Sequence, residues 1–196
     1  MHIDGSFRLE DVEAARGIAR AHPFATIVTA DLRATHMPCL VEEDAEDLVV
    51  LGHVARADPV SEALDGPVLM IFQGPHGYVS ASWYQSETIP TWNHVTLHAR
   101  GVPEPLDDAL PLLRLTVERF EALVAHPWSL ERMGATAREM ADQVIAFRVR
   151  ATTWHAEAKL SQDKPEEERA RVLAGLEAAG PYANPALAAA MRRTGA

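Results

Sequence analysis

The 196-residue chain predicts a mainly β protein with peripheral helices, an α+β domain built on a closed or partly closed antiparallel barrel. Three observations carry that expectation. About six short runs rich in β-branched and apolar residues are separated by turn residues. One of them, residues 92–100, alternates, with Asn93, Val95, Leu97 and Ala99 on a mostly apolar face and His94, Thr96, His98 and Arg100 on a wholly polar one. The regular strand–helix–strand rhythm of a doubly wound fold is missing.

The elements follow in order. Leu9, Val12, Ala15, Ile18 and Ala19 recur at helical spacing, and Pro23 closes that helix. Residues 24–29 read as a first strand. Residues 34–41 read as a second, made irregular or an edge by Pro38. The acidic run 42–47 is a solvated hairpin turn, and 48–51 returns as a third strand leading to His53 and Arg56. Asp58 and Pro59 open a short helix as cap and first residue. Residues 68–72 form a buried strand that the turn residues 73–77 interrupt. A helix is expected over 107–125, with Leu112, Leu115, Phe120 and Leu123 as core contacts. Another lies within 133–144, and a last strand runs from Ile145 to Trp154. The final 38 residues change character: Pro165 and three glutamates start one helix, and Asn184-Pro185 starts a last one ending in Arg192, Arg193 and Gly195. The expected division is therefore a barrel over 1–158 and a helical extension over 159–196, packed on the barrel or on a partner.

Composition narrows the function. With 47% hydrophobic residues the chain can bury a sizeable core. No apolar stretch reaches the length of a membrane span, and the polar, acidic N-terminus is unlike a signal peptide, so a cytoplasmic protein is expected. The formal net charge is −10, and the 18 Lys and Arg are dispersed, which argues against direct DNA contact by the body of the protein. The single cysteine, Cys39, sits in an apolar segment and reads as an inert buried thiol.

Candidate chemistry concentrates in residues 69–101. Tyr78, Trp83, Tyr84 and Trp92 stand there with Thr91, Asn93 and several histidines, a mixture suited to a flat ligand with polar edges. His94 and His98 are not a chelating pair, because i and i+4 on a strand lie about 13 Å apart. No HExxH, Walker loop, GxGxxG or GxSxG elbow is present. Arg56 at a strand end can hold a phosphate through a charge-assisted fork, with His53 beside it. Lys159 and Gln162 follow the last strand in a similar position.

The blocks GHVARADP (52–59), FQGPHGYVSASWY (72–84), IPTWNHVTLHARG (89–101), PWSL (127–130) and KLSQDKP (159–165) resemble the PaiB-type proteins, the FMN-binding negative transcriptional regulator family. The resemblance implies a split β-barrel acting as a homodimer, with FMN as cofactor and a role in transcription regulation. It implies cofactor contacts from His53, Arg56, Gln73, Trp83, Tyr84, Thr91, Trp92, Asn93, Lys159 and Gln162. Two positions depart from the family pattern: Asp58 replaces the frequent Asn before Pro59, and His94 replaces the common Tyr. Related piperazate synthases use haem to form an N–N bond, with a histidine on the iron. The alternative is therefore a haem-dependent or flavin-dependent enzyme acting on a small metabolite. His53 is the candidate iron ligand in the haem case, and no metal site is expected otherwise.

Overall fold

The computed structural model describes residues 5–43 and 45–194. Asp44 of the acidic turn and Gly195 at the end of the last helix therefore lie outside the described residues. Among the described residues the chain forms ten strands and five α-helices. In order these are β1 (Arg8–Leu9), α1 (Val12–Ala21), β2 (Phe24–Thr29), β3 (Ala34–Pro38), β4 (Leu40–Val41) and β5 (Val49–Ala55). After a 3₁₀ turn at Pro59–Ala63 come β6 (Val68–Val79) and a second 3₁₀ turn at Ala81–Trp83. Then follow β7 (Thr91–Gly101), β8 (Pro103–Pro105), α2 (Leu110–Glu121), α3 (Thr136–Asp142), β9 (Val144–Arg150), β10 (Thr153–Lys159), α4 (Glu166–Glu177) and α5 (Pro185–Arg193). The fold is α+β with antiparallel strand pairing, as the sequence predicts. No helix of the described residues is long and apolar enough to cross a membrane.

Two compact units share the chain: residues 1–18, 73–97 and 155–196 in one, and 19–72 with 98–154 in the other. In the second unit β2 pairs with β3 on one side and the first half of β6 on the other. The same unit holds a four-stranded sheet ordered β4-β5-β9-β8. Pro38 ends β3 because it cannot donate to a ladder, and after Cys39 the chain joins that second sheet as β4. Leu40 then faces Leu51 across the hairpin closed by the acidic turn. Gly101 lies against β9 so closely that a Cβ would come within 2.4 Å of the Arg150 carbonyl oxygen, so the approach requires glycine. Leu40, Ala109, Leu112, Ala141 and Ala146 make a core beneath α2 and α3. Cys39 is buried, and desolvation pushes its thiol pKa up to about 12, so it is inert at neutral pH.

In the first unit β1 lies beside β10, β10 beside β7, and β7 beside the second half of β6. Helices α4 and α5 close this unit, with Val172, Leu176, Leu187 and Met191 fully buried.

Three expectations are corrected. Residues 73–77 do not end a strand: β6 runs unbroken from Val68 to Val79. Its burial alternates through Val68, Met70, Phe72 and Gly74, then slips and resumes at Gly77 and Val79. Pro75 and His76 thus take up an extra residue, as at a bulge, where Gly and Pro are tolerated inside a sheet. The final strand is two, β9 and β10, broken at Ala151-Thr152. Helix α2 stops at Glu121, so Leu123 lies beyond it and is 85% exposed, and Leu115 falls on the outer side of the helix.

Candidate functional site

His53 and Arg56 belong to the second unit. His53 sits in β5 opposite Ala146 of β9. Its Nδ1 is buried without a hydrogen-bond partner, and desolvation lowers its pKa below the ordinary imidazole value. The ring is therefore neutral at pH 7 and able to offer a lone pair. Arg56 follows β5 and is fixed at two points against the end of α3. Its backbone N–H donates to Gln143 O at 2.9 Å, and its Nε–H donates to Asp142 O at 2.8 Å. Neither Nη group has a partner among the described residues, so the outer edge of an exposed guanidinium is open to an anion. Asp58 shows why the departure from asparagine leaves the neighbouring turn intact. One carboxylate oxygen caps Val60 N at 2.9 Å and the other accepts from Thr35 Oγ1 at 2.8 Å.

The other eight candidates lie in the first unit. Thr91, Trp92 and Asn93 are the first three residues of β7, and Lys159 is the last of β10. Lys159 Nζ donates to Thr91 Oγ1 at 2.5 Å and stands 6.0 Å from the centre of the Phe7 ring. Asn93 is fully buried; its Nδ2 donates to Ser161 Oγ at 2.9 Å, while its Oδ1 has no partner. Ser161 adopts φ +60°, a strained conformation for a residue other than glycine, and is itself buried. Gln162 folds back on this turn, donating from Nε2 to Ala158 O at 2.6 Å and accepting from Leu160 N at 2.7 Å. Gln73 is exposed on β6. Trp83 lies in the Ala81–Trp83 turn with its ring on Gly175 of α4, and Tyr84 has a buried hydroxyl with no partner.

An aromatic cluster surrounds Trp92, which is half exposed. Its Nε1–H donates to His76 Nδ1 at 3.3 Å, and the two rings stack at 6.1 Å. Tyr78 meets Trp92 edge-on and lies 4.8 Å from Tyr182. His94 sits 3.5 Å from a carboxylate oxygen of Glu157, which is 5% exposed. The residue read as a substitute for the family tyrosine therefore faces a buried acid.

Sequence reading missed Glu157, Ser161, Glu168, Gly175 and Tyr182. Glu168 lies in the three-glutamate start of α4, where a favourable helix dipole already accounts for acidic residues. Ser161 stands within the KLSQDKP segment (159–165), but nothing in its neighbours marks a left-handed backbone.

The family model "Putative FMN-binding domain" matches residues 1–153. The protein "Protease synthase and sporulation protein PAI 2" of Bacillus subtilis is 28% identical over 185 residues, covering 90% of this chain and 89% of its own. The flavocytochrome Anf3 from Azotobacter vinelandii superposes with a TM-score of 0.65 at 17% identity, over 86% of this chain and 78% of its own. The FAD and heme binding protein from Mycobacterium smegmatis gives 0.56 at 15% identity, over 83% and 78%. At such identities the likeness is one of fold, and it is the split-barrel fold. With the family model spanning residues 1–153 and the B. subtilis relative aligned over nearly the whole length, the chain belongs to the FMN-binding domain family, in its PaiB-type branch.

Proposed function

We propose that the protein binds FMN and works as a flavin-bearing homodimer. The observation that carries this reading is that two polar atoms of the first unit, Tyr84 Oη and Asn93 Oδ1, are buried without partners. Buried polar atoms without partners are costly, and a ligand that supplies donors and acceptors removes that cost. The residues present fit such a group. Trp83, Tyr84 and Trp92 offer ring surface to an isoalloxazine, Asn93 and Gln73 offer amides to its edge, and Lys159 offers charge to a phosphate. In the second unit, the free edge of Arg56 offers charge to an anion. FMN, when bound, supplies reversible one- or two-electron chemistry. The protein's part is to bind it, orient it and shield it from water. Half-exposed Trp92 and Tyr182 and exposed Ile89 supply apolar area that a second copy would cover. The regulatory role implied by the family is proposed to act without operator contact, given the −10 charge.

A second reading, haem held by His53, is favoured by one observation: the neutral, buried and unpartnered Nδ1 of that residue. The two relatives whose descriptions mention a cytochrome or heme share only the fold. Light scattering with in-line absorbance of the purified protein, loaded with FMN or hemin, separates these readings. We expect twin flavin bands travelling with a species of twice 21.4 kDa. A monomer mass would end the dimer proposal. A Soret band retained by the unmutated protein and lost in His53→Ala, with no flavin taken up, would replace flavin by haem.

A further inference from the structure

Residues 85–90 join the Ala81–Trp83 turn to β7, and all six are exposed. Candidate ligand residues stand at both ends, Trp83 and Tyr84 before the loop and Thr91, Trp92 and Asn93 after it. An exposed segment has no packing to order it, and ordering costs entropy at every residue. Helix α4 supplies the restraint. The Glu168 carboxylate accepts Gln85 N at 3.3 and 3.1 Å through its two oxygens, and Ser86 N at 3.0 Å. Arg171, three residues on, donates from Nη2 to Gln85 Oε1 at 3.1 Å. Two successive backbone amides converging on one carboxylate make charge-assisted bonds, stronger than neutral ones. Their effect is visible on the acid, since the Gln85 amide is the largest of several contacts holding the Glu168 carboxyl below its ordinary range. The same helix seats the Trp83 ring on Gly175, and α4 lies beyond the residues that the family model matches.

We propose that Glu168 is the latch of the 85–90 loop, a positioning residue that holds the loop in place so that its two flanks keep one geometry toward the flavin. The proposal rests on the flavin reading above and concerns how the loop is held. It makes α4 a working part of the binding site.

Two readouts test it: FMN titration followed by flavin fluorescence, and cleavage of the ligand-free protein by a glutamate-specific protease at Glu87, the one glutamate of the loop. Glu168→Ala is expected to raise the FMN dissociation constant about tenfold, chiefly through faster release, and to speed cleavage after Glu87. Glu168→Gln keeps an acceptor oxygen and should recover part of both, and Arg171→Ala should show a smaller loss in the same direction. An unchanged dissociation constant in Glu168→Ala overturns the proposal even if cleavage accelerates, because the latch would then hold a loop the ligand ignores. Equal losses in the Ala and Gln variants, with a matching fall in melting temperature, also overturn it by making the residue merely structural. If the unmutated protein binds no flavin, the flavin reading fails first and the latch proposal falls with it, a result distinct from any variant effect.

Discussion

Arg56 donates its Nε–H to Asp142 O and its backbone N–H to Gln143 O, which locks the stem of the side chain and leaves the outer edge of the guanidinium free. A pre-positioned guanidinium loses little entropy when it meets a phosphate, and the resulting fork is charge-assisted. Arg56→Ala should therefore weaken FMN about tenfold or more while leaving riboflavin affinity nearly unchanged. Equal losses for both ligands, measured by fluorescence titration, would show that Arg56 does not touch the phosphate. This residue could be read from the sequence because its charge follows a strand and a His. The Asn93–Ser161 bond could not, since it joins positions 68 residues apart whose neighbours carry no sign of the pairing. The same limit hid the Glu157 partner of His94. Strand periodicity says which face a side chain takes, not which strand lies alongside.

At the scale of the element, β7 was legible in full, because its alternation maps directly onto buried Asn93, Val95, Leu97 and Ala99. Strand β6 was legible only to Phe72, since Gly74, Pro75 and Gly77 have the same composition whether they make a turn or a bulge. Helix α4 shows a different gap. Its apolar stripe and acidic start predict a helix but give no reason for Gly175, which costs about 1 kcal/mol in a helix relative to alanine. The reason is tertiary: a Cβ there would stand 2.4 Å from Cδ2 and 2.6 Å from Cε2 of Trp83. Overpacking of this kind costs about 1–3 kcal/mol, against the propensity gain of about 1 from alanine. Gly175→Ala should thus lose up to about 2 kcal/mol in denaturant melts and shift the Trp83 emission. A variant more stable than the parent would mean that the indole moves away freely, and Trp83 would then lose its place as a fixed wall of the proposed ligand site.

For the whole molecule, pH sets two opposing electrostatic effects. Lowering pH toward the sequence pI near 5.3 removes negative charge from a chain carrying −10, which relieves self-repulsion and favours the folded state. Against this stands His53, whose folded pKa lies below its ordinary value of 6.5 through desolvation. Between those two values the unfolded chain holds the proton and the folded one does not, so stability falls as pH drops below 6.5. The carboxyls of Asp31, Asp108, Glu131 and Glu168 are also held below their ordinary range, each chiefly by a hydrogen bond, from Thr29, Arg138, Arg114 and the Gln85 amide respectively. Their contribution is present above the ordinary carboxylate pKa and is lost only at lower pH; Asp31, Asp108 and Glu131 are exposed and Glu168 is partly so, and salt weakens all four. Salt separates the effects, because it screens surface repulsion while leaving the desolvation of a buried ring largely untouched. Thermal melts at high salt should therefore show the melting temperature falling from pH 7 to pH 5, and His53→Gln should flatten that interval. The remaining fall, below about pH 4.5, should persist in the variant and shrink with salt. A melting temperature that rises on acidification at high salt would mean that the His53 ring gains a proton in the folded state, which would remove the neutral imidazole on which the haem reading depends.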